Sequence, residues 1–161
     1  MGEPIGHERD RMSLSTRTAV AVHALTFLAR WHDDGLQPSA KIAESLESNP
    51  VLVRRILGML QAKGLVTALE GSGGGWQLAR SAERITLRDA YAAVEDGTSI
   101  LPTHAHPPSR NCVIGRHMQA LLENEFTAAQ SAMEERLTQT SIADMLDRVL
   151  GRERTGPAAD R

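Results

Sequence analysis

The chain has 161 residues, 41% of them hydrophobic and 24% charged, with a formal net charge of −2. That balance suits one globular domain with an appended element, and it excludes a fibre, a disulfide scaffold and a chain disordered throughout. The acidic net charge excludes a wholly basic nucleic-acid coat but leaves room for a local basic face. Aromatics are only 3% (Phe27, Trp31, Trp76, Tyr91 and Phe126), so the core has to be aliphatic, which favours helices over a β-sandwich. The single cysteine, Cys112, can form no intrachain disulfide and cannot supply a four-thiolate zinc or iron–sulfur site. One free thiol fits a reducing compartment. No apolar run is long enough to cross a membrane, and residues 1–12 hold charges where a signal peptide would be apolar. A soluble, cytoplasmic protein is expected.

Residues 1–12 read as a disordered tail. From Leu14 to Trp31, Leu14, Thr18, Ala21, Val22, Leu25, Leu28 and Ala29 recur at helical spacing, with Ser13 or Ser15 as the cap. His32-Asp33-Asp34-Gly35 ends this helix. A short helix follows from Ser39, its expected N-cap, to about Leu46, with Ile42, Ala43 and Leu46 on one face. After a tight turn, Asn49 caps a third helix that has Pro50 at its first position, where a missing N–H costs nothing. Val53, Ile56, Leu57 and Leu60 form its buried stripe, and Lys63-Gly64 closes it.

Leu65 to Leu69 reads as a strand, Glu70 to Gly75 as a glycine turn, and Trp76 to Ala79 as the returning strand. Thr86 and Asp89 then open a fourth helix with a capping box; its apolar face is Leu87, Ala90, Tyr91 and Val94. Gly97 to Asn111, with three prolines, is a loop. Val113 to Leu137 is a long helix of about 37 Å, striped with Ile114, Met118, Leu121, Leu122, Phe126, Ala129, Met133 and Leu137. A small domain cannot cover such a stripe alone, so a second copy is expected against it. Ser141 to Leu150 closes the fold as a short helix, and 151–161 reads as a disordered tail.

A helix-turn-helix followed by a glycine-tipped hairpin is a winged helix. The fold class expected is therefore mainly α: a winged helix-turn-helix over 13–96, a loop over 97–112, and the dimerisation and closing helices over 113–150. Arg54 and Arg55 lie on the third helix opposite its buried stripe, with Ser48, Asn49 and Val51 on the same outward side, where recognition helices meet bases and phosphates. Gly71 to Gly75 precede a strand and no lysine follows them, so they form a hairpin tip and not a phosphate loop. His104, His106 and Cys112 share one loop but match no zinc spacing. Cys112 itself has two readings: a redox-sensing thiol with its pKa lowered by a helix N-terminus, or a small buried filler.

The strings Ser15-Thr-Arg-Thr-Ala-Val-Ala-Val-His-Ala-Leu, Asn49-Pro-Val-Leu-Val-Arg-Arg-Ile-Leu-Gly-Met-Leu, Ala62-Lys-Gly-Leu-Val and Gly73-Gly-Gly-Trp-Gln-Leu-Ala-Arg resemble the Rrf2 family of bacterial transcription regulators. So do Ile85-Thr-Leu, Cys112-Val-Ile-Gly and Ser141-Ile-Ala-Asp, and the likeness covers about residues 13–147. The resemblance implies a homodimer that binds palindromic double-stranded promoter DNA, usually as a repressor. Well-known members hold an iron–sulfur cluster on three loop cysteines. This loop has only Cys112, so no cofactor and no metal are expected, and the chain looks closer to the branch with an Asn-Pro-x-x-Val-Arg-Arg helix and a single cysteine. The wing tip also lacks the basic residue often found there; only Arg80 and Arg84 follow it.

The DNA-contacting residues expected are Ser15, Arg17, Ser39, Lys41, Ser48, Asn49, Val51, Arg54 and Arg55, with Gly73, Gly74 and Arg80 from the wing. The dimer interface expected is Ile114, Met118, Leu121, Leu122, Phe126 and Met133. No catalytic group is expected. The rival readings are a winged-helix module that binds protein, and a metal- or cofactor-dependent sensor.

Overall fold

The computed structural model describes residues 13–95, 97 and 99–155, and for 13–15 the backbone alone. The expected tail over 1–12 and the end of the expected tail, 156–161, lie outside the described residues. Helix α1 (Ser13–Arg30) buries Val20, Ala21, Ala24, Leu25 and Leu28. It already includes Ser13, so Ser15 stands inside the first turn and is not its cap. A one-turn 3₁₀ segment (His32–Asp34) and Gly35, at φ 80°, lead to α2 (Ser39–Ser45). Here the structure corrects the sequence reading: Pro38 holds the N-cap position without a side-chain bond, and Ser39 is the first helical residue.

The turn into α3 (Pro50–Ala62) is closed by Ser48 N–H donating to the Ala43 carbonyl at 3.0 Å, with Glu47 at φ 46°. Asn49 Oδ1 accepts from Val51 N–H at 2.8 Å, which makes it the cap expected. Val53, Ile56, Leu57 and Leu60 are buried. At the far end Gly64 adopts φ 69°. Its N–H reaches the Gln61 carbonyl and the Leu65 N–H reaches that of Leu60, the double bond of a Schellman stop.

Strands β1 (Val66–Leu69) and β2 (Gly75–Leu78) pair antiparallel, from Val66 opposite Leu78 to Leu69 opposite Gly75. The Ala79 N–H continues the pairing to the Leu65 carbonyl at 3.0 Å. On the other side of β2, Gln37 and Trp76 exchange backbone hydrogen bonds of 2.9 and 2.8 Å. A two-stranded hairpin alone is marginal in water; this bridge ties the wing to the connection between α1 and α2. Gly75 is required there, because a Cβ would lie 2.7 Å from the Gln37 carbonyl oxygen.

A second 3₁₀ turn (Ala82–Arg84) precedes α4 (Leu87–Val94), whose capping box is complete between Thr86 and Asp89. Helix α5 (Val113–Thr138) has no buried residue, and its main contact with the body is α4. Ser141 and Asp144 then exchange bonds of 2.8 and 3.0 Å to open α6 (Ile142–Thr155). This helix packs back on α1 and runs to Thr155, beyond Leu150, so 151–155 belong to it and not to a tail. Its start is stitched to the start of α4: Leu87 N–H donates to Thr140 and Ile142 N–H to Ile85, at 2.9 and 2.8 Å. The core is one cluster drawn from α1, α2, α3, α4 and β1, with Ile85 and Ile142 inside it. The fold class is the mainly α winged helix expected. Among the described residues no helix is long and apolar enough to cross a membrane.

Ile142 is fully buried and carries the junction of α6 with the core. Ile142→Ala should lower unfolding stability by about 2–5 kcal/mol. Urea denaturation checks this, and an unchanged midpoint would show that α6 is not part of the cooperative unit.

Candidate nucleic-acid interface

On α3, burial of Val53, Ile56, Leu57 and Leu60 leaves one direction for the other side chains. Val51 is 64% exposed, and Arg54 and Arg55, three and four residues on, stand exposed on the same side. Neither arginine is paired with a described carboxylate, so both forks face outward ready to donate. Asn49 uses its carbonyl oxygen on the Val51 amide, which leaves its NH₂ group for an outside acceptor. Ser48 is half-buried in the turn and Lys41 is exposed on α2, with Ser39 half-buried at that helix's start. Ser48, Asn49, Val51, Arg54 and Arg55 gather at the α2–α3 turn and the opening of α3, while Ser39 and Lys41 stand in the first turn of α2.

The other expected DNA contacts lie elsewhere. Arg17 is half-buried on α1 and its charge acts on Glu95 at the end of α4. Ser15 is placed by its backbone in the first turn of α1. Arg80 donates from Nε to the Gly64 carbonyl at 3.3 Å, which ties the base of the wing to the end of α3 farthest from Asn49. Gly73, at φ 77°, and Gly74 form the tip, and a Cβ on Gly74 would run into the Leu69 carbonyl. The tip offers backbone and the acidic Glu70.

Gln37 was not singled out in the sequence, although it positions the wing. It is buried, pairs with Trp76 through its backbone, and donates from Nε2 to the Gly35 carbonyl at 3.2 Å. The signal available was its place before Pro38, which disfavours helix and holds a residue extended. Tyr91 on α4 and Glu95 just after its end, both buried, were also missed as polar groups.

Cys112 occupies the N-cap position of α5 and is exposed, which overturns the reading of a buried filler. The amides of Gly115 and Ile114 at the opening of α5 hold its thiol below the usual range. His104 and His106 are exposed on the loop, and among the described residues no three His, Cys, Asp or Glu side chains come together as metal ligands.

The long apolar stripe of α5 divides. Leu122, Phe126, Met133 and Leu137 are half-buried and turned to the body of their own chain. Val113, Ile114, Met118 and Leu121 are exposed, Ile114 at 62% and Leu121 at 59%. The expected dimer set therefore separates into an inward group, Leu122, Phe126 and Met133, and an outward group, Ile114, Met118 and Leu121.

The chain matches the Rrf2 family, described as iron-dependent transcriptional regulators, over residues 14–148. A Bacillus subtilis chain assigned as an HTH-type transcriptional regulator, YwnA, is 31% identical over 134 residues, 83% of this chain and 97% of that one. The HTH-type transcriptional regulator IscR of Cereibacter sphaeroides is 29% identical over 84% of this chain and 87% of its own. A solved structure from Lactobacillus plantarum, described as a transcriptional regulator, superposes with a TM-score of 0.69 at 27% identity, covering 88% and 98% of the two chains. The donors in this chain do not fit the iron chemistry of the family's description: Cys112 is the only cysteine, and no set of three ligands forms around it among the described residues. With its helix-turn-helix, wing and trailing helices matched over nearly the whole chain, the protein belongs to the Rrf2 family of DNA-binding transcriptional regulators and is not an enzyme.

Proposed function

We propose that the chain acts as a homodimer on palindromic promoter DNA in the cytoplasm, as a repressor, with α3 in the major groove and a thiol response at Cys112. The observation that carries this reading is the outward face of Val51, Arg54 and Arg55 on a helix whose opposite face is locked in the core. An arginine fork fits the two acceptors of guanine or a phosphate, and Val51 offers an apolar contact such as a thymine methyl takes. A protein bound across a promoter represses by occupying it.

The exposed Val113, Ile114, Met118 and Leu121 supply the face for a second copy. A two-fold pair of recognition helices meets half-sites roughly 34 Å apart, one turn of DNA. The protein-binding alternative differs in its response to salt: contacts to phosphates release counterions, so operator affinity falls steeply as salt rises.

Arg54→Ala and Arg55→Ala should each weaken operator binding by about 1–3 kcal/mol while leaving thermal unfolding unchanged, since both side chains are exposed. Fluorescence anisotropy on a DNA fragment recovered from a genomic pool checks this; unchanged binding in both variants would remove α3 from the interface.

Ile114→Glu with Leu121→Glu should give monomers in analytical ultracentrifugation and abolish binding to the full palindrome. A wild-type chain that sediments as a monomer at micromolar concentration would refute the dimer.

At Cys112 the thiolate attacks peroxide, forming an S–O bond and releasing hydroxide as the O–O bond breaks, which leaves a sulfenic acid. The lowered pKa raises the thiolate fraction at neutral pH, and exposure admits the oxidant. Mild peroxide should change operator affinity in the wild type and leave Cys112→Ser unaffected. Equal responses in the two proteins would place the switch elsewhere.

A further inference from the structure

The family that the chain matches is described as iron-dependent, and the only thiol of the chain, Cys112, lies with His104 and His106 on the loop that enters α5. These groups do not amount to an iron site. An iron–sulfur cluster is ordinarily held by four thiolates. One chain supplies one, and two copies together supply only two. An iron ion held by imidazoles and carboxylates needs about three of them on one face. Among the described residues no three such side chains converge, and His104 and His106 stand exposed on the loop.

The loop is fastened by main-chain groups instead. Gly115 lies in the first turn of α5, where glycine weakens a helix and no positive φ calls for it. Its place is explained by what lies against it. A Cβ there would run into the carbonyl oxygen of Ser109, and the Ser109 carbonyl carbon and amide nitrogen would stand 3.1 and 3.2 Å away. The backbone at Ser109 therefore rests on the bare face of the helix. Pro107 and Pro108 fix φ in the approach to it. Between Ser109 and the helix the turn is closed by Asn111 N–H donating to Ser109 Oγ at 3.3 Å and Arg116 N–H to the Cys112 carbonyl at 3.0 Å. The amides of Gly115 and Ile114 already act on the sulfur of Cys112. The entry into α5 is thus closed by the chain's own groups, with no ligand missing from it.

We infer that backbone packing of Ser109 on Gly115 fastens the loop to α5 in place of metal ligands, and that this regulator takes its DNA-binding form without iron. The inference rests on the family's DNA-binding activity, and it holds whether or not the chain dimerises or Cys112 responds to peroxide.

Iron and acid-labile sulfide are measured on the full chain, made in cells supplied with iron and purified without oxygen. Far fewer iron atoms than chains are expected. Neither ferrous iron nor a chelator should shift the unfolding temperature, because a metal that binds the folded chain would raise it. Operator affinity, measured without oxygen by fluorescence anisotropy, should change by less than about twofold on adding either. Gly115→Ala should keep the wild-type circular dichroism and speed tryptic cleavage after the exposed Arg110 about tenfold. Gly151→Ala, where a Cβ meets nothing within 4 Å, should leave that rate unchanged. Iron bound one for one, an unfolding temperature or operator affinity that rises with iron, or equal cleavage of Gly115→Ala and wild type would overturn the inference.

Discussion

Val53, Ile56, Leu57 and Leu60 fix the rotation of α3 about its own axis. All four are at most 1% exposed, packed in the cluster that includes α1 and α4. Burying each such side chain contributes about 1.5–3 kcal/mol. Turning the helix by one residue would expose several of them and drive Arg54 or Arg55 toward the core, where an unpaired charge is prohibitive. The outward direction of the two guanidiniums is therefore set by aliphatic packing and not by any contact they make. The axial position is held as firmly, by the Asn49 cap at one end and the Gly64 stop at the other.

The wing depends on the same logic of backbone satisfaction. Its two strands would be weak alone, but Gln37 adds pairing on the far edge of β2, and Ala79 extends the pairing to Leu65. Glycine is needed at Gly74 and Gly75 because backbone carbonyls approach where a Cβ would stand. The consequence for recognition is that the tip carries shape without positive charge, with Glu70 beside it. In the proposed interface, electrostatic attraction to DNA would then fall to α2 and α3, where Lys41, Arg54 and Arg55 are exposed.

Features encoded by neighbours in sequence were legible. The period of the stripes, the Asn49-Pro50 start, the Lys63-Gly64 stop and the two capping boxes each involve residues within one turn, and each is found in the structure. The outward Val51, Arg54 and Arg55 followed from the same stripe. Features set by distant packing were not legible. The stripe on α5 looked single because Phe126 and Leu121 differ only in which side α4 occupies. The end of α6 was misplaced because Gly151 and the charged residues after it resemble a stop, while the helix continues to Thr155. Glu95 gave no local sign of burial; it is desolvated at the end of α4 beside Thr18 of α1.

Helix α5 differs from the others in having no buried residue, so the core does not dictate its angle. Among the described residues, its links to the body are half-buried side chains toward α4 and one exposed ion pair, Arg88 with Glu134. Exposed pairs of this kind contribute only about 0–1 kcal/mol. Helix α4 in turn packs directly on α3. The order of packing is thus α5 on α4 and α4 on α3, with a weak joint first and a rigid one second. In a dimer joined through α5, a few degrees at the weak joint would move each α3 as a rigid body and alter the spacing of the pair without disturbing either helix's own packing. One reactive group sits on that joint: Cys112 stands where the loop enters α5. An oxidised sulfur there need only prefer one angle over another. To bias an equilibrium by a factor of ten takes about 1.4 kcal/mol of differential affinity, well within what one charge-assisted hydrogen bond supplies. The same preference would be costly to install beneath α3, where any shift has to break close-packed aliphatic contacts.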